Sequence, residues 1–288
     1  MKITKQQLNV LDSLVVERLC DHQPDTAALV NTFSCRKNTN LENVIRSRHA
    51  FDKDEEGTTA YYVVKAPTGE LLLYFSLKCG ELFEQLDMHK MDLALKTRKS
   101  VYVIQNRESF TEDELIASED FIQNNLDEIK LLLPDIDNYI NKKGDYKADL
   151  SKELNSEMQR VLKTYPAIEL VEFCKNDNSQ SVWQAFGISR KMGECVFWHH
   201  VVPKILSVQE KVGCQYVYLF AADKSIDGDL ANHYKVALGF EQSTTLGANK
   251  PHYDFQCFFL CQEIKKIIQG RNFFYAHFNP DENDENAI

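Results

Sequence analysis

Arg190, Gly193 and Cys195 stand close together in the stretch SRKMGECVFWHHVVPKI. Two basic residues, one glycine and one small residue precede an apolar run with helical spacing. That arrangement suits an anion. The first N–H groups of a helix have no intrahelical partner, and they lie at the positive end of its dipole. A glycine there lets a ligand approach the backbone, or lets φ turn positive. The stretch is not a Walker loop, and it has only one of the three glycines of the dinucleotide fingerprint. Read alone, R-x-x-G-x-C is either a phosphate cradle or a loop glycine ahead of a packed helix.

Other groups could also do chemistry. Cys195 and His199 are four apart, the spacing of a nucleophile and base on one helix face. Cys195 also belongs to an apolar stripe with Trp198, Val202 and Ile205, which reads as packing. DKSIDGD holds three aspartates but lacks the register and closing glutamate of a calcium loop. Cys257 and Cys261 fall on one face of a strand, where small apolar residues pack. None of the eight cysteines forms C-x-x-C, so no metal is expected. Free thiols and a reducing, cytoplasmic location are the expectation.

The elements that must position these groups follow from periodicity. Residues 4–19 and 39–50 have helical spacing. TTAYYVVKA and ELLLYFSLK, separated by PTGE, read as a β-hairpin. Residues 81–160 read as a mainly helical insertion, with SVYVIQ as a short strand inside it. Thr111 and Glu114 have capping-box spacing, and Pro134 ends or kinks a helix. The last third alternates. YPAIELVEFC is a strand, 195–212 a helix kinked or restarted at Pro203, and CQYVYLFAAD a buried strand. DGDLANHYKVALGF is a helix ending at Gly239, and YDFQCFFLCQEI a last strand. Residues 281–288 read as a disordered acidic tail. The fold class is therefore α/β: a core over 1–80 and 161–280, interrupted by the insertion.

Charge narrows the partners. The net charge of −10 is concentrated in residues 81–160, which carry −7, while residues 1–80 carry none. An acidic chain is a poor non-specific binder of nucleic acid. No stretch approaches the roughly 20 apolar residues of a membrane helix.

Two further features extend the pattern. HYKVALGF ends a helix on Gly-Phe, and Phe33-x-Cys35 precedes a helix and the hairpin. Together with R-x-x-G-x-C these segments resemble the GNAT superfamily of acyl-CoA N-acyltransferases, and a bacterial branch of it that includes toxin acetyltransferases. The resemblance covers residues 30–80 and 164–263. It implies a central mixed sheet flanked by helices, with acetyl-CoA as co-substrate and no metal. The backbone of Arg190, Lys191, Met192, Gly193, Glu194 and Cys195 would hold the pyrophosphate. The N–H groups near Phe173 and Cys174 would polarise the thioester carbonyl. Tyr234 would protonate the leaving thiolate.

Glu169 and Glu172 are three apart, so in a regular strand they face opposite sides. At most one of them is then a general base, and Glu172, nearer the strand end, is the choice; the alternative is that both are solvent-facing charges at the strand edge. Three departures stand against the superfamily pattern. Cys195 replaces Gly or Ala, the loop after Cys174 is long, and one extra residue separates Tyr234 from Gly-Phe. The expected acceptor is a small-molecule or peptide amine, with aminoacyl-tRNA as an alternative that the acidic charge weighs against. A catalytically idle acyl-CoA-binding or scaffold protein is the other alternative, and the insertion could serve a homodimer.

Overall fold

Residues 4–19, read as one helix, divide into a helix and a strand. The computed structural model describes residues 1–21, 24–84, 88–141, 163–222, 228–249 and 257–279. Lys5–Asp12 form α1, opened by a capping box in which Thr4 and Gln7 exchange hydrogen bonds. Val15–Arg18 then form β1, since their β-branched pair finds an antiparallel partner in the hairpin. Pro24–Val30, Thr39–Arg46 and Arg48–Glu55 are α2, α3 and α4. The helix expected over 39–50 breaks at Ser47, which caps α3 with extended backbone.

The hairpin is as expected. Ala60–Lys65 (β2) and Leu71–Glu84 (β3) pair antiparallel, and Gly69 supplies the positive φ of the turn. Thr164–Lys175 form β4, and Tyr216–Ala222 form β5. Leu246–Gly247 are the short β6, and Cys257–Glu263 are β7. The seven strands make one mixed sheet with main order β1-β2-β3-β4-β5-β7. β4 and β5 are parallel, and β5 and β7 antiparallel.

Each sheet face buries its own core. Val63, Tyr74 and Cys174 on one face pack with Val30, Phe33, Ile45 and Ala50 from the α2–α4 side. Leu73, Phe75, Ile168, Leu170 and Val217 on the other pack against Val196, Phe197, Val201 and Ile205.

Those last residues belong to one helical run of three parts. Gln180–Ala185 (α9) interrupts the loop before it. Met192–Val196 (α10) leads into a π-helical turn, Phe197–Val201, and then Val202–Val212 (α11). Pro203 falls in the first turn of α11, so the restart expected there occurs. The wide turn carries two consecutive histidines toward α1. The His200 Nε2 lies 3.0 Å from the Leu11 carbonyl oxygen, and the His199 Nε2 2.9 Å from Asp12. His199 Nδ1 meets the Tyr275 hydroxyl at 2.7 Å.

Burial, then the neighbouring His199, pushes His200 down to about 4. Below the ordinary histidine value of 6.5 the unfolded chain takes up a proton that the folded chain refuses. Stability is therefore expected to fall between pH 6.5 and pH 4, by up to about 3 kcal/mol. The urea midpoint should drop across that window, and drop less in His200→Gln. Equal midpoints at pH 7.5 and pH 5 would contradict it.

Asp229–Leu238 form α12, ending on Gly239 in the left-handed conformation. A helix that periodicity did not signal follows β7: Ile264–Ala276 (α13). Gly270 in its middle disguised it. A Cβ at that position would lie 2.6 Å from the Trp198 ring, so close packing demands the glycine.

The chain divides into two compact units. Met1–Leu82, Tyr165–Ser243 and Gly247–Ile288 form the first, and Phe83–Thr164 with Thr244–Leu246 the second. In the second, Met88–Gln105 (α5), Glu112–Asn124 (α6), Leu126–Leu132 (α7) and Ile136–Asn141 (α8) surround Val101, Ile104, Ile122, Ile129 and Tyr139. SVYVIQ is thus helical, not a strand. Val101 and Ile104 are three apart and pack inward, which overrides β propensity. The Thr111–Glu114 capping box forms. The helix expected at KADLSKELNSEMQRVLKTY, the acidic tail and most of DKSIDGD lie outside the described residues.

Candidate functional site

β4 and β5 run side by side only at their beginning. Their register covers Ala167↔Tyr216, Ile168↔Val217 and Glu169↔Tyr218, and no later pair is formed among the described residues. β4 continues to Lys175 and β5 to Ala222. Two parallel strands that part in this way leave backbone N–H and C=O groups available to a ligand between them.

Alternation slips inside β4. Ile168, Leu170 and Phe173 all face the core beneath the π-helical run, whereas Cys174 faces the α2–α4 side. Glu172 also faces that second side, because it bonds Ser76, whose cross-strand partner is the Tyr61 of that core. Glu169 bonds Tyr218, whose neighbours Val217 and Leu219 point the opposite way. Glu169 and Glu172 therefore share a face. The regular-strand expectation of opposite faces is corrected by one irregular residue between Leu170 and Phe173.

Both carboxyls are held above their ordinary range. For Glu172 burial is the chief cause and the charge of Glu169 adds to it, while Ser76, Lys53 and Tyr61 oppose it. Ser76 donates its hydroxyl to the Glu172 carboxylate, and its oxygen accepts the Glu172 N–H at 3.1 Å. For Glu169 burial again leads, against Lys78 and the Tyr218 hydroxyl at 3.2 Å. Ser76 and Tyr218 escaped the sequence reading. Ser76 carries a weak signal, the one small polar residue in the apolar run LLLYFSL.

Phe173 reaches the first turn of α10. A Cβ on Gly193 would touch the Phe173 ring at 3.5 Å, an ordinary contact. The φ of Gly193 is not positive. Neither strain nor internal crowding requires a glycine there, which leaves open approach to the backbone as the use of the missing side chain. Lys191 is the N-cap of α10, and its side chain makes no capping hydrogen bond. The Trp183 indole N–H fixes the loop by donating to the Arg190 carbonyl at 3.0 Å.

The remaining loop residues divide by role. Arg190 turns its guanidinium into the protein. It pairs with Glu194 at 2.7 Å, donates to the Phe278 carbonyl at 2.8 Å and to that of His277, and lies over the Phe274 ring. A cavity of about 230 Å³ adjoins this Arg190–Glu194–Trp198 face of the helix, away from Gly193. Met192 and Cys195 are buried in the core. Burial pushes the Cys195 thiol up, so it is a packed spacer and no nucleophile. Lys191 is the exposed cation of the loop.

Tyr234 lies on α12, with Ala231 and Leu238 buried beside it. Leu230, next to Ala231 in the chain, is exposed. The Tyr234 ring packs edge-on against Phe240. Its hydroxyl has no hydrogen-bond partner among the described residues, yet no buried side-chain polar atom there lacks one. The hydroxyl oxygen therefore meets accessible space at the edge of the core. Burial, with a contribution from Cys174, pushes the phenol up and keeps it protonated. Among the described residues no His, Cys, Asp or Glu group could hold a metal, and no helix is long and apolar enough to cross a membrane.

No family profile and no curated protein sequence matches the chain. Solved structures do resemble it. AtaTR bound with AcCoA is 13% identical with a TM-score of 0.45, over 90% of this chain and 98% of that one. A point mutant of the AtaT toxin is 15% identical with a TM-score of 0.47, over 90% and 93%. AtaT complexed with acetyl-methionyl-tRNAfMet is 14% identical with a TM-score of 0.43, over 89% and 98%. The likeness lies in the course of the chain.

Proposed function

We propose that this protein binds acetyl-CoA and transfers the acetyl group to an amine by direct attack within a ternary complex. The observation that carries this reading is the open backbone at Gly193, set against Phe173 where β4 has left β5. The uncapped N–H groups of Met192, Gly193 and Glu194, with the Lys191 ammonium, form the cradle for the pyrophosphate. Arg190 holds that loop in shape through Glu194 and the two carbonyls, and contributes no free guanidinium.

The chemistry then falls to groups on β4 and α12. The N–H groups of Phe173 and Cys174 polarise the thioester carbonyl. Glu172 takes a proton from the incoming ammonium, a task suited to a carboxyl held above its usual range. Tyr234, kept protonated, delivers a proton to the departing sulfur. The acceptor is proposed to be a small-molecule or peptide amine, because an ammonium suits a face carrying two carboxylates. Calorimetric titration with acetyl-CoA should show saturable heat with micromolar to sub-millimolar affinity. Absence of both heat and thermal stabilisation at millimolar ligand would overturn the reading. Binding without transfer to any amine in a panel would leave an idle acyl-CoA-binding protein.

A further inference from the structure

The cavity of about 230 Å³ lies between α10 with its π-helical turn, α12, β7 and α13. Its walls are largely apolar. The Trp198 and Phe274 rings stack at 26° with centroids 6.2 Å apart, and the exposed Val236 and Phe273 stand at the rim. An engineered apolar cavity of about 150 Å³ accepts benzene, so this one has room for an aromatic ring with a small head group. Two nearly buried polar residues also line it: Glu194, 8% exposed, and Gln262, 4% exposed.

Donors and acceptors in those walls are unequally used. The Trp198 indole N–H donates to the Ala237 carbonyl at 3.1 Å, and Gln262 Nε2 donates to the Leu238 carbonyl at 3.0 Å. The Lys266 ammonium donates to both carboxylate oxygens of Glu241. Arg190 is shared between Glu194 Oε1 and two backbone carbonyls. Glu194 Oε2 and Gln262 Oε1 have no hydrogen-bond partner among the described residues, yet no buried side-chain polar atom there lacks one. Both oxygens therefore reach accessible space, and the cavity is the space that these two residues line. Burial pushes the Glu194 carboxyl up, against the pull of Arg190 and Lys191. A desolvated carboxylate with one oxygen open, an amide oxygen and aromatic faces together suit a cation.

We infer that this cavity is a second ligand site, which takes a small organic cation with a flat apolar body and an N–H-bearing head, an amidinium or a primary ammonium. The head donates to Glu194 Oε2 and Gln262 Oε1, and the body lies among Trp198, Phe273 and Phe274. Arg190 keeps its bond to Oε1. An anionic head is disfavoured, because Arg190 and Lys266 are already paired with Glu194 and Glu241. The site also reaches the loop that opens α10. Glu194 lies in the first turn of that helix, where its charge opposes an anion held on the same turn. A bound cation offsets that charge, so acetyl-CoA and the cation should tighten each other by equal factors, about two- to fivefold. That consequence, and only that, rests on the acyltransfer reading.

The test is calorimetric titration of the full chain with benzamidine, benzamide and benzoate, which share a ring and differ in the charge of the head. Benzamidine should bind one to one with sub-millimolar affinity, at least about tenfold more tightly than benzamide, and benzoate should give no saturable heat. Glu194→Gln should remove that preference. Val236→Trp changes an exposed residue at the rim, so it should fill the cavity and abolish binding while the fold stays intact. No saturable heat from benzamidine, equal binding of benzamide, or binding of benzoate would overturn the cation site. So would benzamidine binding that survives Val236→Trp and is lost in Glu172→Gln, since the cation would then rest on the β4 carboxylates. Displacement of benzamidine by acetyl-CoA would make the cavity part of the cofactor site, and would overturn it as a second one. Equal benzamidine affinity with and without acetyl-CoA would overturn the coupling alone. Failure of acetyl-CoA to bind would overturn the acyltransfer reading, while the benzamidine series still decides the cavity.

Discussion

Tyr234→Phe is expected to lower kcat by about 100- to 10,000-fold, the usual worth of a positioned proton donor. Folding should be unaffected. The hydroxyl bonds nothing among the described residues, so its removal breaks no internal hydrogen bond. The ring, packed against Phe240, remains. Acetyl-CoA affinity should stay within about threefold, because the hydroxyl acts on sulfur that carries no charge until the bond breaks. Acetylated amine, followed by chromatography against a matched wild-type reaction, measures the loss. Turnover within threefold of wild type would take the proton-donor role away from Tyr234.

Gly193→Leu should abolish measurable acetyl-CoA binding, a loss of at least about 100-fold, or some 2.7 kcal/mol. Its value lies in the separation of binding from folding. A Cβ there makes only an ordinary contact with Phe173, and the backbone is not left-handed, so a side chain is tolerated by the chain itself. What the leucine fills is the approach to the uncapped N–H groups. Gly193→Ala should give a smaller loss of the same kind. Calorimetry reads the affinity and thermal unfolding reads the fold. Unchanged affinity in Gly193→Leu would mean that no anion rests on this loop.

The parts of the fold that were legible each have a local cause. PTGE needs a turn, the near-continuous apolar run of β5 needs burial on both faces, and Gly239 needs a left-handed helix end. The parts that stayed hidden have causes elsewhere in the chain. β1 exists because β2 offers it an edge. α13 hides behind Gly270, whose reason is the Trp198 ring of a different helix. SVYVIQ looks like a strand until Val101 and Ile104 are seen to face one helical core.

The candidate site divides in the same manner. R-x-x-G-x-C marks the loop, but nothing in its spelling shows that Arg190 is committed to Glu194 and to carbonyls close to 280. Strict alternation placed Glu169 and Glu172 back to back, and a single irregular residue in β4 turned them to one side.

The histidine pair of the π-helical turn has a consequence for the order of events during synthesis. Residues 3–12 leave the ribosome well before the groups that hold them. Ile3 N–H rests on the Tyr275 carbonyl, Leu11 on His200 and Asp12 on His199. Until α13 has emerged, α1 has no complete seat, and its apolar side waits uncovered beside the growing hairpin. The segment holding α1 is therefore made before its seat and placed only after it.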